Sequence, residues 1–181
     1  MPSTPSPMTP EQKVLYGQIV RFKIDQPNVV CPFSVKLSWQ YRWSGVFTHR
    51  AIREYKKFIF LVMVAEQRLS PPTVVDRVWH QHILYTRSYW DEFCGQVLKR
   101  PVHHTPGLGG EAEALKYYRQ CDLALQLYRQ YFGEPPSDIW NPPQIKVESL
   151  DYQWVNRARY WVVPKPTLKQ ISPERKGRMY R

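Results

Sequence analysis

Between residues 74 and 90 the chain reads VVDRVWHQHILYTRSYW, with one aspartate, two histidines two positions apart, two tyrosines and two tryptophans. A second histidine pair follows at 103–104, so four of the five histidines fall within residues 80–104. Imidazoles and carboxylates are the groups that hold zinc or non-haem iron, and imidazole also moves protons near neutral pH. The chemistry this stretch can serve depends on which of these groups share a face.

On a strand, His80 and His82 would point the same way and chelate one ion. On a helix, residues two apart point nearly opposite ways. Ser70-Pro71-Pro72-Thr73 is a helix start signal, and the segment is long for a strand, so residues 73–85 are read as a helix. The helical partner of His80 is then Asp76, four residues back on the same face. His103 and His104 lie in a Gly/Pro-rich loop. If that loop folds back, Asp76, His80, His103 and His104 form a candidate metal set for zinc or non-haem iron. The same groups could serve as an acid–base pair in a metal-free pocket. Trp79, His82, Tyr85 and Tyr89 are the candidate pocket or binding residues, and Cys94 is a candidate soft ligand. A purely structural reading stands beside these: Asp76–His80 as a one-turn ion pair near a helix N-terminus, and Cys94 as core.

The elements that must position these groups are helical. Thr9-Pro10-Glu11 starts a helix that runs to about Ile24. FSVKLSWQYRW (33–43) is read as a helix, although its alternating apolar positions leave a strand open. Thr48 is the expected start of a helix to about Gln67. FIFLVMVA (58–65), apolar all round, implies burial on several sides. After 73–85 the helix is expected to continue from Thr86 to about Leu98, and a long helix spans Glu111 to about Phe132. Gly133 and Pro135-Pro136 end it. The expected architecture is all-α: one compact bundle of about five helices over residues 9–140, a loose arm at 1–8, and a basic, Trp/Pro-rich, mostly irregular extension at 141–181.

The net charge of +11 is concentrated. Residues 31–70 carry seven Lys/Arg against two acids, and residues 141–181 carry nine against three. Such an excess serves nucleic acid, an anionic surface or an acidic partner, or is simply a solvated face. No RNP-type motif or zinc-finger spacing sharpens the nucleic-acid reading. Three cysteines at positions 31, 94 and 121, without C-x-x-C, argue against a disulfide scaffold. With no secretory pattern and no apolar run long enough to span a bilayer, the expectation is a cytoplasmic protein without a transmembrane segment. H-E-x-x-H, Walker and G-x-S-x-G motifs are absent, so no established catalytic signature is present.

PTVVDRVWHQHILYTRSYW (72–90), with its D-x-x-W-H-x-H-I-L-x-T-x-x-Y core at 76–89, resembles the signature of the glycine-rich domain-containing protein-like family. YKKFIFL (55–61), the HH pair and FGEPPSDIW (132–140) resemble segments of its short bacterial branch, and the likeness covers about residues 48–140. The chain lacks the Gly-rich extension of the plant members. The resemblance implies an α-helical domain and makes Asp76, Trp79, His80 and His82 part of the signature. It implies no particular reaction.

Three functions follow as expectations. The first is a binding or adaptor module whose 141–181 extension docks a protein partner. The second is a zinc- or iron-dependent enzyme built on the histidine cluster. The third, resting on charge and aromatics alone, is nucleic-acid binding.

Overall fold

In the computed structural model, which describes residues 8–105 and 110–141, six helices make up the described chain and no strand occurs among the described residues. They are α1 (Pro10–Arg21), α2 (Phe33–Tyr41), α3 (Gly45–Val64), α4 (Thr73–Ile83), a π-helix (Arg87–Leu98) and α5 (Glu111–Phe132). The all-α expectation holds. The arm expected at 1–8 and the extension expected at 141–181 lie outside the described residues, apart from Met8 and Asn141.

Local signals set the starts of α1 and α3. Thr9 caps α1 through a full capping box: its hydroxyl accepts from the Gln12 N–H, and the Gln12 side chain accepts from the Thr9 N–H. α1 stops at Arg21, short of the expected Ile24. The Lys56 ammonium donates to the carbonyls of Val20, at 2.9 Å, and Phe22 at this end. α3 starts at Gly45, ahead of the expected Thr48. Ser44 is the cap, accepting from the Phe47 N–H, while Thr48 is buried inside the first turn with its hydroxyl donating to the Ser44 carbonyl. In α2 the helical reading wins. Phe33 and Leu37, four apart, are buried while Trp39 faces solvent, so the alternation carries no burial pattern.

α3 is the central element. It packs against α1, α2, α4 and α5, and Phe58, Ile59, Phe60 and Leu61 are four consecutive fully buried residues. A helix surrounded on several sides needs such a run, as FIFLVMVA implied. Three of the four Lys/Arg side chains of α3 are committed within the fold. Arg50 forms a paired ion bridge to Asp138 at 2.7 and 2.8 Å, Lys56 caps α1, and Lys57 lies 2.9 Å from Glu54.

The second half of the expected 73–98 helix departs from α geometry. Its buried residues are Ser88, Tyr89, Phe93, Cys94 and Leu98. They repeat every five positions (88, 93, 98 and 89, 94). A ladder closing from i to i+5 stacks residues five apart, so the π-helix puts them on one buried face. A Cβ at Gly95 would lie 3.3 Å from the Trp90 carbonyl, five residues back, and glycine fits that close approach.

Candidate metal centre

α4 begins at Thr73 after Pro71-Pro72, with Pro72 at the N-cap and no side-chain cap. The Asp76 N–H donates to the Pro72 carbonyl at 2.9 Å, and its carboxylate lies in the first turn, where the helix dipole favours negative charge. One turn on, His80 Nε2 stands 3.8 Å from Asp76 Oδ1. Trp79, between them in sequence, turns inward and is almost fully buried.

The loop after the π-helix folds back over this face. Lys99 ends the π-helix in the left-handed conformation, at φ 57°. The Arg100 guanidinium then donates to the carbonyls of Val62, at 3.0 Å, and Met63, at 3.3 Å. Val102 is buried, and its carbonyl accepts from the Tyr89 hydroxyl, which in turn accepts from the Trp79 indole N–H at 2.8 Å. This Trp79–Tyr89–Val102 relay sets the height of the loop. Two residues later His104 lands edge-on to Trp79, with ring centroids 4.5 Å apart, and its Nε2 sits 2.7 Å from Asp76 Oδ1.

Asp76, His80 and His104 each bring one ligand atom within 4.8 Å of the others. The His80 and His104 rings lie 4.4 Å apart at 64°. His80 is 55% exposed at its side chain and His104 17%, so the cluster opens to solvent along the His80 side. Three of the four expected donors therefore meet. His103 does not: it is exposed and its ring lies 5.4 Å from that of Trp90, because adjacent loop residues send their side chains apart.

The expected pocket residues fall elsewhere. His82 is fully buried on the inner face of α4, with Nδ1 2.9 Å from the Tyr55 hydroxyl and Nε2 3.4 Å from the Ser88 hydroxyl. Burial, helped by the Lys56 charge, lowers its pKa to about 3, so it is a neutral core residue and not a substrate-facing one. Tyr89 and Trp79 belong to the loop relay and are likewise core, not pocket wall. Tyr85 is half-buried, edge-on to Phe33, with the Lys36 ammonium 5.4 Å from its ring centre. Cys94 is buried, and burial pushes its thiol up, away from the thiolate a metal would need. All three cysteines are free thiols.

A second polar centre was not anticipated. Glu54 is buried in α3 and accepts from the Tyr128 hydroxyl at 2.8 Å, the Trp140 indole N–H at 2.9 Å and the Lys57 ammonium at 2.9 Å. It ties α3 to α5 and to the segment after α5. The sequence signal was an acid in the middle of a basic and apolar helix, with a lysine three residues on.

A family model described as UCP032817-like matches residues 42–134, just over half of the 181-residue chain. This span contains α3, α4, the π-helix and all three clustered donors. No curated protein and no solved structure matches the chain.

Proposed function

The chain belongs to the UCP032817-like family, and from that premise we propose that it is a helical binding module whose Asp76–His80–His104 corner takes up one divalent transition-metal ion. The convergence of two imidazoles and a carboxylate from α4 and the returning loop carries this reading. Zinc or iron bonds of about 2.0–2.2 Å place neighbouring donors roughly 3–3.5 Å apart. The Asp76–His104 and Asp76–His80 separations of 2.7 and 3.8 Å bracket that spacing, and all three ligand atoms lie within 4.8 Å of one another, so side-chain rotations that draw the two imidazoles together would complete the site. Three protein ligands leave positions open, as in catalytic zinc and two-histidine, one-carboxylate iron sites. Either metal would supply Lewis acidity there, and iron would add redox chemistry. An enzyme built on the corner is the extension of this reading. Asp76 and His80 are also positions of the motif that resembles the glycine-rich domain-containing protein-like family.

A second reading, docking of a protein partner on the helical body, draws on Trp39 and Val46, which are 72% and 76% exposed near the α2–α3 turn. The segment first assigned to docking, 141–181, lies outside the described residues beyond Asn141. Nucleic-acid binding draws less support, since α3 spends much of its basic excess internally.

Elemental mass spectrometry of the purified, tag-free protein tests the metal reading, with His80→Ala, His104→Ala and His103→Ala alongside. The expected result is close to one equivalent of zinc or iron in the wild type and in His103→Ala, and little in the other two. A wild type that stays metal-free after reconstitution with either ion refutes the reading. So does equal loss in His103→Ala.

A further inference from the structure

Beside the three donors, α4 carries a cation with no carboxylate partner among the described residues. It is Arg77, exposed and one residue after Asp76. At about 100° per residue, His80 sits roughly 40° round the helix from Asp76, and Arg77 roughly 60° further in the same direction. The exposed half of α4 therefore presents carboxylate, imidazole and guanidinium in succession, with His80 in the middle. Arg77 therefore lies on the His80 side of Asp76, and His80 is the most exposed of the three donors.

The guanidinium is already placed. Its carbon lies 5.0 Å from the ring centre of Tyr41, at the end of α2, and the Tyr41 ring is followed by Trp43 at 5.0 Å and Phe47 at 5.1 Å. A guanidinium held over an aromatic face keeps its N–H edges for in-plane bonds to an oxyanion, and loses less freedom on binding one. Tyr41 also reports that both charges are near. Burial pushes its phenol up, while Arg77 pulls it down and Asp76 pushes it up.

We propose that Arg77, framed by Tyr41, is the anion-recognising residue of the metal corner, so that its ligand is an oxyanion bridging the metal's open side and the guanidinium. This rests on the metal reading above. The shared chemistry is a flat or tetrahedral oxygen anion, a carboxylate or a phosphate. Metal charge and guanidinium together favour such a group over a neutral ligand, and the fork geometry favours two oxygens over one.

The test uses the full-length protein loaded with cobalt(II), which reports the site through its visible spectrum. Inorganic phosphate and acetate are titrated separately by calorimetry into the wild type, Arg77→Gln and Arg77→Lys. Cobalt should bind all three alike, because Arg77 is no ligand. At least one anion should bind the wild type and shift its spectrum. Arg77→Gln should weaken that anion roughly 10- to 100-fold, the usual effect of losing a charge-assisted hydrogen bond, with Arg77→Lys between. Which anion binds more tightly decides between a carboxylate and a phosphate ligand. Unchanged anion affinity in cobalt-loaded Arg77→Gln overturns the inference while leaving the metal reading intact, as does a cobalt-loaded wild type that binds neither anion. Failure of the wild type to bind cobalt overturns both.

Discussion

His82 links the stability of this fold to pH, and the size of the link follows from its surroundings. The ring is fully buried, with the aromatic rings of Phe22, Phe33, Tyr55, Tyr89 and Phe93 all within 6.0 Å between centroids. Its two nitrogens face two hydroxyls, from Tyr55 and Ser88. A neutral imidazole, one donor and one acceptor, suits that pair. An imidazolium would be left without solvation and would face the Lys56 charge, which is why the folded pKa falls to about 3. In the unfolded chain an ordinary histidine titrates near 6.5, so the unfolded state takes up the proton first. Stability from this residue is therefore complete above about pH 6.5 and is lost as pH falls from there towards the folded value. Each pH unit in that window costs about 1.4 kcal/mol, so roughly 2 kcal/mol is gone by about pH 5 and about 5 kcal/mol across the whole range. That is a large part of the 5–15 kcal/mol typical of a domain.

Urea unfolding followed by circular dichroism, between about pH 7 and about pH 4.5, measures the loss. His82→Gln supplies the reference, because an amide keeps a donor and an acceptor in place but does not titrate. The variant starts less stable, so the quantity to compare is the slope against pH. The wild type should lose roughly 2 kcal/mol more than the variant on going from about pH 6.5 to about pH 5. Parallel curves, with the two slopes equal within error, would refute the reasoning: they would mean that water reaches the ring or that it is protonated in the fold.

Three further outcomes follow from the same packing. A double-mutant cycle on Glu54→Gln and Trp140→Phe should give a coupling of about 1–3 kcal/mol, the range for a buried hydrogen bond to a charged acceptor, and additivity would show that Trp140 is held by packing alone. Tyr89→Phe removes the link from Trp79 to the Val102 carbonyl and frees the loop that carries His104. It should cost roughly 1–3 kcal/mol in stability and weaken metal binding several-fold by calorimetry, whereas an unchanged metal affinity would mean that the relay does not place His104. Lys56→Met strips the carbonyls of Val20 and Phe22 of their donor. Hydrogen exchange should quicken at the end of α1 while α3 stays protected, and the acid loss assigned to His82 should shrink because a repelling charge is gone.

What was legible in the sequence is what depends on short range. Helix starts with their own chemistry, such as Thr9-Pro10 with Gln12, read directly, and the uniformly apolar 58–65 run announced the central helix. The Asp76–His80 pairing followed from helical spacing alone. His104 required more. Which of two adjacent histidines turns towards Asp76 is decided by contacts made far along the chain: Arg100 on the end of α3, and Tyr89 on Val102. Neither leaves a local trace at 103–104. His82 failed for a related reason. Residues two apart on a helix face opposite ways, so once His80 was outside, His82 had to be inside. The aromatic rings of Phe22, Phe33, Tyr55, Tyr89 and Phe93, gathered around it from distant parts of the chain, make its surroundings a core rather than a pocket. The same logic explains why one short motif serves two ends. In D-x-x-W-H-x-H, the aspartate and first histidine point outward to the proposed metal, while the tryptophan and second histidine point inward and hold the helix and the loop that complete it. A substitution at either inward position should therefore reach the metal corner through the backbone, and one at either outward position should leave the fold in place. That asymmetry, metal affinity lost together with stability inside but lost without it outside, separates a functional corner from a structural histidine cluster.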